Sequence, residues 1–259
     1  MMILMQMGDS ACVIVVPCYN EEQRFPVGEF QKFLSVLPLG IRFLFVNDGS
    51  RDGTLAVLRR LEAEFPAVVS VLDQSHNMGK AEAVRSGMLA AIAEGATITG
   101  FWDADLATPL AEIPRLLNIL IDRPGIEILL GARVRLLGRS VHRKTLRHYS
   151  GRVFATLASV ALRLPVYDTQ CGAKFFRVNA SLRGMLDKPF ISRWIFDVEL
   201  LARYLVIHRK QPTTGDALAG IYEEPLRTWH DVDGSKLKPS DSLKAIGELY
   251  TIHRRYFAK

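Results

Sequence analysis

The sequence predicts an α/β protein with a mostly parallel sheet sandwiched by helices, folded as a single domain with additional helices in its C-terminal half. Two observations predict this fold. In the first half of the chain, short β-branched or aromatic runs alternate with segments in which apolar residues recur at helical spacing. Such alternation is typical of parallel sheets covered on both faces. The chain has 259 residues, of which 49% are hydrophobic, so it can bury a full core.

Five runs in the first half are the predicted strands. They are CVIVVP (12–17), IRFLFV (41–46), AVVSVL (67–72), TITGFW (97–102) and IEILLG (126–131). Two of the segments between them show clear helical spacing. Their apolar positions are Phe30, Phe33, Leu34 and Leu37, and later Ile113, Leu116, Leu117 and Leu120.

The second half is less regular. Residues 133–163 contain many arginines and no acidic residue, and the segment FDVELLARYLVIHRK (196–210) reads as a helix. A loop-like stretch precedes a last segment, SLKAIGELYTIHRRYFAK (242–259). We expect these parts to pack around the same sheet as additions, since no boundary divides the chain into two domains.

Charge and cysteine content narrow the function classes. The chain has 33 Lys and Arg against 27 Asp and Glu, which favours an anionic partner: nucleic acid, a phosphorylated substrate or an acidic membrane surface. A helix-turn-helix signature, zinc-finger spacing and a stacking motif are all missing, which argues against nucleic acid. The three cysteines are odd in number and lack metal-type spacing, which favours ordinary thiols in the reducing cytoplasm.

Each of the first four predicted strands is followed by polar residues. These are CYNEE, NDGSRDGT, HNMGK and DADLATP, in chain order. Ligands of parallel sheets bind at the carboxyl ends of the strands, so we expect one rim of the sheet to carry the site. HNMGK is not a Walker-type phosphate loop, and the first strand is not followed by G-x-G-x-x-G, which argues against nucleoside triphosphate hydrolysis and dinucleotide redox chemistry.

Asp103 and Asp105 directly follow the fourth strand. A hard divalent cation such as Mg²⁺ or Mn²⁺ binds one or two protein carboxylates and takes its other ligands from substrate phosphates and water. The pair therefore predicts a metal-assisted nucleoside diphosphate site. The alternative is a turn whose acid caps the helix that begins near Pro109.

Seven motifs occur in an order and spacing that resemble the family-two inverting glycosyltransferases with a GT-A, Rossmann-like fold. They are IVVPCYNEE, FLFVNDGSRDGT, NMGKAEAVRSGM, FWDADLATPLAEI, LLGARV, DTQCGAKFFR and RWIFDVELL. Within that family, the last two and GSKL are most similar to the dolichyl-phosphate β-glucosyltransferases. The resemblance implies transfer of a hexose, glucose from UDP-glucose, from a nucleotide-sugar donor to a polyprenyl phosphate of the dolichyl type.

The resemblance also implies roles for the rim residues. The donor-binding half would span about residues 10–131, and the acceptor-binding half about residues 132–259. Asp48 would accept a hydrogen bond from the base, and Asp103 and Asp105 would hold the metal. The other implied donor-binding residues are Pro17, Tyr19, Glu21, Asn77, Gly79 and Lys80. Ala107 departs from mannosyltransferase relatives, which commonly place a metal-binding glutamine there, so the metal would have one protein ligand fewer.

For the acceptor, the resemblance places Arg133 beside its phosphate. Arg143 and Arg147 stand four residues apart, where two guanidinium groups can grip a phosphate from one helical face. Asp197 occupies roughly the position of the family's general base. A sugar hydroxyl acceptor would need that base, but a phosphate monoester is already an anionic nucleophile. Asp197 would then orient the arginines, pair with another charge or cap its helix.

Two other functions stay open at this point. One is a glycosyltransferase that acts on a soluble or saccharide acceptor, and the other is a non-catalytic binder of nucleotide sugars or nucleic acid. The ten N-terminal residues are apolar but too short to span a membrane and lack a basic region, so we expect a cytoplasmic protein attached peripherally to a membrane.

An anionic membrane surface is the expected attachment site. The basic segment carries apolar residues at Val153, Phe154, Leu157 and Val160. The last segment has an apolar face and a basic end. Its apolar residues are Leu243, Ile246, Leu249 and Tyr250, and its basic residues are Lys244, His253, Arg254, Arg255 and Lys259. Packing of this segment on the core is the alternative.

Overall fold

The computed structural model describes residues 12–142, 145–210, 217–232 and 239–258. Within them the chain forms nine strands and eight helices. The strands are β1 (Cys12–Cys18), β2 (Ile41–Asp48), β3 (Val69–Gln74), β4 (Ile98–Trp102), β5 (Ile128–Ala132), β6 (Ser140–His142), β7 (Ala173–Arg177), β8 (Ile221–Pro225) and β9 (Thr228–His230). The helices are α1 (Val27–Leu34), α2 (Thr54–Glu64), α3 (Lys80–Ala93), α4 (Glu112–Asp122), α5 (Thr145–Leu162), α6 (Ala180–Leu186), α7 (Phe196–Lys210) and α8 (Pro239–Tyr256).

Seven strands form the central sheet in the order β3-β2-β1-β4-β7-β5-β8. All five predicted strands are present, and they run parallel to one another. β7 is antiparallel to both neighbours, β4 and β5, while β8 pairs in parallel with β5. The mostly parallel α/β sheet is therefore confirmed. The expectation that the second half only adds to this sheet from outside is wrong, because β7 and β8 are part of it.

Side chains alternate between two hydrophobic clusters, one on each face of the sheet. Val13, Val15 and Phe101 face the cluster that contains α3, α5, α6, α7 and α8. Ile14 and Trp102 face the cluster that contains α1, α2 and α4. This alternation explains why the parallel strands read as nearly continuous apolar runs: both faces are buried.

The predicted helices agree with the structure in most details. The four apolar residues predicted for α4 are all buried, and α7 has the predicted bounds. α1 ends at Leu34, so Leu37 lies beyond it, partly buried against the same cluster. Gly87 of α3 lies where a Cβ would come within 2.5 Å of Val15. Its lack of a side chain lets α3 pack closely on the sheet, which fixes the position of the helix's first residue, Lys80.

A small parallel sheet of β6 and β9 lies outside the main sheet. It approaches the end of β4, because the N–H of His230 donates to the carbonyl of Ala107 at 3.0 Å. Among the helices that the structure describes, none has the length and apolar content that crossing a membrane requires.

Candidate functional site

The loops at the carboxyl ends of the parallel strands form the predicted rim, and hydrogen bonds connect these loops to one another. After β1 and β2, the N–H of Asn20 donates to Ser50 Oγ at 3.0 Å, and the N–H of Arg51 donates to Asn20 Oδ1 at 2.9 Å. The N–H of Glu21 donates to Thr54 Oγ1 at 2.7 Å, which links the first loop to the start of α2. The antiparallel strand β7 begins at the same rim, with Ala173 opposite Trp102.

Pro17, Tyr19 and Glu21 lie at the end of β1, as the sequence predicts. Pro17 and Tyr19 are half-buried and Glu21 is buried. The Glu21 carboxylate pairs with the guanidinium group of Arg24, whose Nη2 donates to Oε1 at 2.6 Å. The charge of Arg24 is close enough to Asp105 for the two to interact. This edge of the rim therefore carries a cation beside the predicted metal carboxylates.

Asp48 holds the loop that follows β3. Its Oδ1 accepts the N–H of Met78 at 2.7 Å, and its Oδ2 accepts the N–H of Gly79 and the Nδ2 of Asn77, each at 2.9 Å. Burial raises the pKa of the Asp48 carboxyl, although these N–H groups favour its ionised form. The structure thus brings Asp48, Asn77 and Gly79 together. The role of Asp48 toward a base stays a prediction.

The same loop delivers Lys80 to Asp103. Gly79 has φ of 92°, a left-handed conformation that favours glycine, and it precedes the first residue of α3. Lys80 Nζ lies 2.5 Å from Asp103 Oδ1. Burial works against the charge on Lys80, but the carboxylates of Asp103 and Asp197 outweigh it and raise the Lys80 pKa. Three predicted site residues therefore share one electrostatic cluster.

Asp103 and Asp105 differ in their surroundings. Asp103 is half-buried, and although burial opposes its ionisation, Lys80, Lys174 and Arg133 hold its pKa below the usual value. Asp105 is exposed on the surface of the rim, and its pKa is raised by desolvation and then by the charge of Asp103. Asp105 Oδ1 also accepts the N–H of Ala107 at 3.1 Å.

The alternative role of this motif, a cap for the next helix, is only partly seen. Asp105 makes a turn through its bond to Ala107, but α4 begins at Glu112 after the N-cap residue Ala111. In the loop between Asp105 and α4, the carbonyl of Thr108 accepts a hydrogen bond from the buried Nε1 of Trp102 at 2.8 Å. Both carboxylates are therefore left at the rim.

The donor set of these carboxylates fits a divalent cation completed by a ligand. Two carboxylates one residue apart are the oxygen ligands that Mg²⁺ and Mn²⁺ prefer. The described residues contain no group of three or more His, Cys, Asp or Glu side chains that could hold a metal unaided. Ala107 offers only its backbone, which is bonded to Asp105 and His230. A cation at this rim would therefore take its further ligands from water or from a bound molecule.

Gly172 supports Asp103 from the neighbouring strand. Its carbonyl accepts the N–H of Asp103 at 3.0 Å, and a Cβ at this position would collide with the Asp103 carboxylate. The glycine of the DTQCG motif therefore lies directly against Asp103. The sequence pattern alone gives Gly172 no role.

Asp197 lies in the first turn of α7 and forms an ion pair with Lys174 of β7, with Oδ1 2.6 Å from Nζ. Both side chains are buried. Burial raises the pKa of Asp197, and the ammonium groups of Lys174 and Lys80 oppose that shift. Of the alternatives for Asp197, the structure shows the charge pair.

Arg133 follows β5 at the same rim and forms a bidentate pair with Asp168. Its Nε and Nη2 donate to the two carboxylate oxygens at 2.6 and 2.8 Å. Although burial opposes both charges, the pair lowers the pKa of Asp168 and raises that of Arg133. Arg147 lies in α5, and Arg143 lies outside the described residues. The predicted grouping of Arg133 with Arg143 and Arg147 therefore stays a prediction.

A pocket of about 40 Å³ opens beside Arg133. Arg152 and Gln170 also line it, and Thr169 lies at its wall. Gln170 Nε2 and Thr169 Oγ1 are buried without a hydrogen-bond partner among the residues described. The volume is enough for a few water molecules or one small oxyanion. The lining thus combines two guanidinium groups, one of them paired with the Asp168 carboxylate that also lines the pocket, with two residues that carry unsatisfied polar atoms.

Sequence reasoning missed four contributors to this rim: Lys174, Asp168, Gly172 and Arg193. Arg193 lies in the loop before α7 and reaches the loop after β3, where its Nη2 is 3.4 Å from the carbonyl of Met78. Its charge also acts on Asp48. The one available signal was a lysine inside the apolar strand AKFF, which is rare unless the lysine is paired.

The family model described as glycosyl transferase family 2 matches residues 13–182, which include the loops after β1, β2, β3 and β4. This chain belongs to glycosyltransferase family 2. Three dolichyl-phosphate β-glucosyltransferases are similar over 94% of the chain. They are those of Drosophila melanogaster (34% identical, 74% of that protein covered), Homo sapiens (31%, 75%) and Saccharomyces cerevisiae (29%, 74%).

Solved structures show the same fold. Glucosyl-3-phosphoglycerate synthase from Mycobacterium tuberculosis in complex with UDP has a TM-score of 0.67 at 17% identity, with 97% of this chain and 83% of that chain covered. Its complex with Mn²⁺, UDP and glucosyl-3-phosphoglycerate has a TM-score of 0.68 at 17% identity, with 98% and 82% covered. The predicted family and the GT-A fold are therefore confirmed, and the chain is a glycosyltransferase.

Proposed function

We propose that this glycosyltransferase transfers glucose from UDP-glucose to a polyprenyl phosphate of the dolichyl type, with inversion at the anomeric carbon. The observation that carries the proposal is the rim itself: the carboxylates of Asp103 and Asp105 lie on the donor side, and a pocket lined by Arg133, Arg152 and Asp168 lies on the acceptor side. Similar chains named dolichyl-phosphate β-glucosyltransferase, matched over 94% of this chain, support this donor and acceptor.

On the donor side, we assign the nucleotide to the loops after β1, β2 and β3. Asp48 fixes the backbone of Met78 and Gly79, so the loop is already shaped before the donor binds. The Lys80 ammonium and the Arg193 guanidinium lie beside the loop after β3. A diphosphate is an anion that such cations bind. The UDP bound in structural neighbours of the same fold is in keeping with this assignment.

Asp103 and Asp105 would hold a divalent cation, Mg²⁺ or Mn²⁺, which when bound neutralises charge on the departing diphosphate. Lys80 also pairs with Asp103. We propose that the Lys80 ammonium moves to a phosphate oxygen when the donor binds, which frees the Asp103 carboxylate. The Mn²⁺ in the complexed structural neighbours supports a divalent cation.

On the acceptor side, a phosphate monoester would enter the pocket beside Arg133. Asp168 holds the Arg133 guanidinium in place through two hydrogen bonds, so this cation is oriented in advance. Gln170 and Thr169 add donors that lack partners among the described residues. An ionised phosphate can attack the anomeric carbon directly, so Asp197, already paired with Lys174, need not act as a base. A single displacement inverts the configuration.

We also propose that an anionic membrane surface presents the acceptor. One face of α5 exposes apolar residues three or four positions apart: Tyr149, Val153, Leu157 and Val160. Phe154, predicted as part of this flank, is partly buried against the core instead. The loop after β5 exposes Leu136 and Leu137 between Arg135 and Arg139. Apolar side chains flanked by cations suit the interface of an anionic leaflet.

The last helix supports this surface less than the sequence predicts. Leu249 and Ile252 of α8 are buried in the core, whereas Ile246 and Tyr250 are exposed. The alternative of a helix that packs on the core is therefore correct for Leu249. The side chain of Leu243 and all of Lys259 lie outside the described residues.

A vesicle assay tests the membrane part of the proposal. The protein should sediment with anionic vesicles at low ionic strength and less at high salt, because salt screens surface charge. The double variant Val153→Asp/Val160→Asp should bind less. Val36→Asp is the matched control, since Val36 is also exposed but follows α1 on the opposite face of the sheet. Equal sedimentation of all variants would contradict the α5 surface.

A donor comparison tests the function. With dolichyl phosphate and Mn²⁺, labelled UDP-glucose should transfer label to the organic phase, and GDP-mannose should not. Transfer from GDP-mannose at an equal rate would contradict the proposed sugar and base.

A further inference from the structure

Among the residues whose side chains the structure describes, Lys174 is the most deeply buried cation, with 1% of its surface exposed. It lies in β7, between the antiparallel neighbours β4 and β5, and the next two residues, Phe175 and Phe176, are also buried. A lysine is almost never buried to this extent unless its ammonium group is paired. The question is what this charge does in the middle of the sheet.

The Lys174 ammonium joins two separate parts of the rim. It lies 2.6 Å from Asp197 Oδ1 in the first turn of α7 and donates to the carbonyl of Cys171 at 2.5 Å. The residue after Cys171 is Gly172, whose carbonyl accepts the N–H of Asp103. One side chain thus connects α7 to the segment that supports Asp103.

Stability does not explain the pair. Removing two ions from water costs more free energy than their attraction commonly returns, and apolar side chains of similar volume often stabilise a core as well or better. The ammonium also lies 5.1 Å from the centre of the Phe101 ring, a cation–π contact, and its charge acts on the carboxylates of Asp103 and Asp168. A role at the reaction centre accounts better for a charge in this position.

We infer that Lys174 is a positioning residue for the transfer reaction, and this inference rests on the proposed function. It holds the Asp197 carboxylate at the rim and fixes the Cys171–Gly172 turn under Asp103. The Asp103 carboxylate therefore keeps a constant placement relative to the start of α7. Lys174 itself is too deeply buried to touch either substrate, so it acts through these two neighbours.

A double substitution separates positioning from folding. Lys174→Met alone would leave the Asp197 charge buried and unpaired, so it is combined with Asp197→Leu, which removes both charges. We expect the double variant to keep the melting temperature of the wild type, while its apparent Mn²⁺ affinity weakens because the turn under Asp103 is no longer held. Its kcat should fall at least 100-fold, with each KM within about threefold of the wild-type value.

The matched control is Arg42→Met/Glu94→Leu, which removes an ion pair at the opposite end of the strands. It should leave kcat unchanged. The second variant is Lys174→Arg, which keeps the charge and should retain more than a tenth of wild-type kcat. The inference would be overturned if the Lys174→Met/Asp197→Leu variant kept the wild-type kcat. It would also be overturned if Lys174→Arg lost as much kcat as a folded Lys174→Met variant.

A second assay separates this inference from the proposed function. Slow hydrolysis of UDP-glucose without acceptor depends on the donor side alone. If the wild type hydrolyses UDP-glucose but fails to glucosylate polyprenyl phosphate, the proposed acceptor is wrong. The role of Lys174 is then tested by the hydrolysis rate, which should fall in the double variant by the same factor as expected for kcat. An unchanged hydrolysis rate would contradict the inference.

Discussion

Gly172 packs against the carboxylate of Asp103 so closely that a single added methyl group would overlap it. The same glycine accepts the N–H of Asp103 through its carbonyl at 3.0 Å. Gly172, the residue before the antiparallel strand β7, therefore determines where the Asp103 carboxylate lies above the sheet.

Gly172→Ala should displace the Asp103 side chain and lower kcat by a factor of ten or more, since a misplacement of about 1 Å at a reaction centre costs up to about 100-fold. The apparent Mn²⁺ affinity, measured by activity titration, should weaken as well. Gly125→Ala is the control, because a Cβ at Gly125 meets no atom within 4 Å. Equal kinetics for the two variants would contradict the supporting role of Gly172.

Asp105→Asn should abolish turnover at saturating Mn²⁺ while the melting temperature changes by less than about 2 °C, because an exposed carboxylate adds little to folding. The control is Asp122→Asn, which removes another exposed carboxylate at the end of α4. Retained activity in Asp105→Asn would rule out the proposed metal role. A large loss of stability would instead make it a structural residue.

Asp168→Asn breaks a buried bidentate pair and should reduce the free energy of unfolding by about 3 kcal/mol at pH 7. The pKa of Asp168 is lowered in the folded state, so its contribution is complete above the ordinary value of 3.8 and is lost as the pH falls below it. The difference between wild type and variant should shrink by about 1.4 kcal/mol per pH unit below that value. Urea titrations at several pH values measure the free energy of unfolding of both proteins. A wild-type–variant difference that does not change with pH would contradict the lowered pKa of Asp168.

Gln170→Leu keeps the volume of the side chain but removes its buried Nε2 donor. If the pocket binds the acceptor phosphate, the apparent KM for the acceptor should rise about tenfold, in line with roughly 1.5 kcal/mol for a hydrogen bond to a charged group. The KM for UDP-glucose should not change. Gln23→Leu, at an exposed position after β1, is the control. A rise in the KM for UDP-glucose alone would show that the pocket binds the donor and not the acceptor.

The sequence predicts the donor side well for a physical reason. In a parallel sheet covered on both faces, each strand is a continuous apolar run, so the polar residues that follow it mark the rim. Asp48, Lys80, Asp103 and Asp105 all lie where this pattern places them. The motifs in these loops carry the family resemblance, which the family model confirms over residues 13–182.

The acceptor side could not be predicted in the same way. β7 was missed because Lys174 interrupts its apolar run, and the charge is tolerated only because Asp197, 23 positions later in the sequence, pairs with it. Arg133 and Asp168 are likewise brought together by the fold, at a separation of 35 residues. Local patterns do not encode such pairs, because they depend on which strands become neighbours.

The most direct test of the central claim is a comparison of three acceptors with UDP-glucose and Mn²⁺: a polyprenyl phosphate, the matching polyprenol and a water-soluble phosphate such as glycerol 3-phosphate. Initial rates of UDP release with Asp105→Asn as background measure transfer to each. We expect rapid transfer to the polyprenyl phosphate, giving a β-linked glucosyl product, and rates at background for the other two acceptors. A faster rate with the soluble phosphate, or an α-linked product, would contradict it.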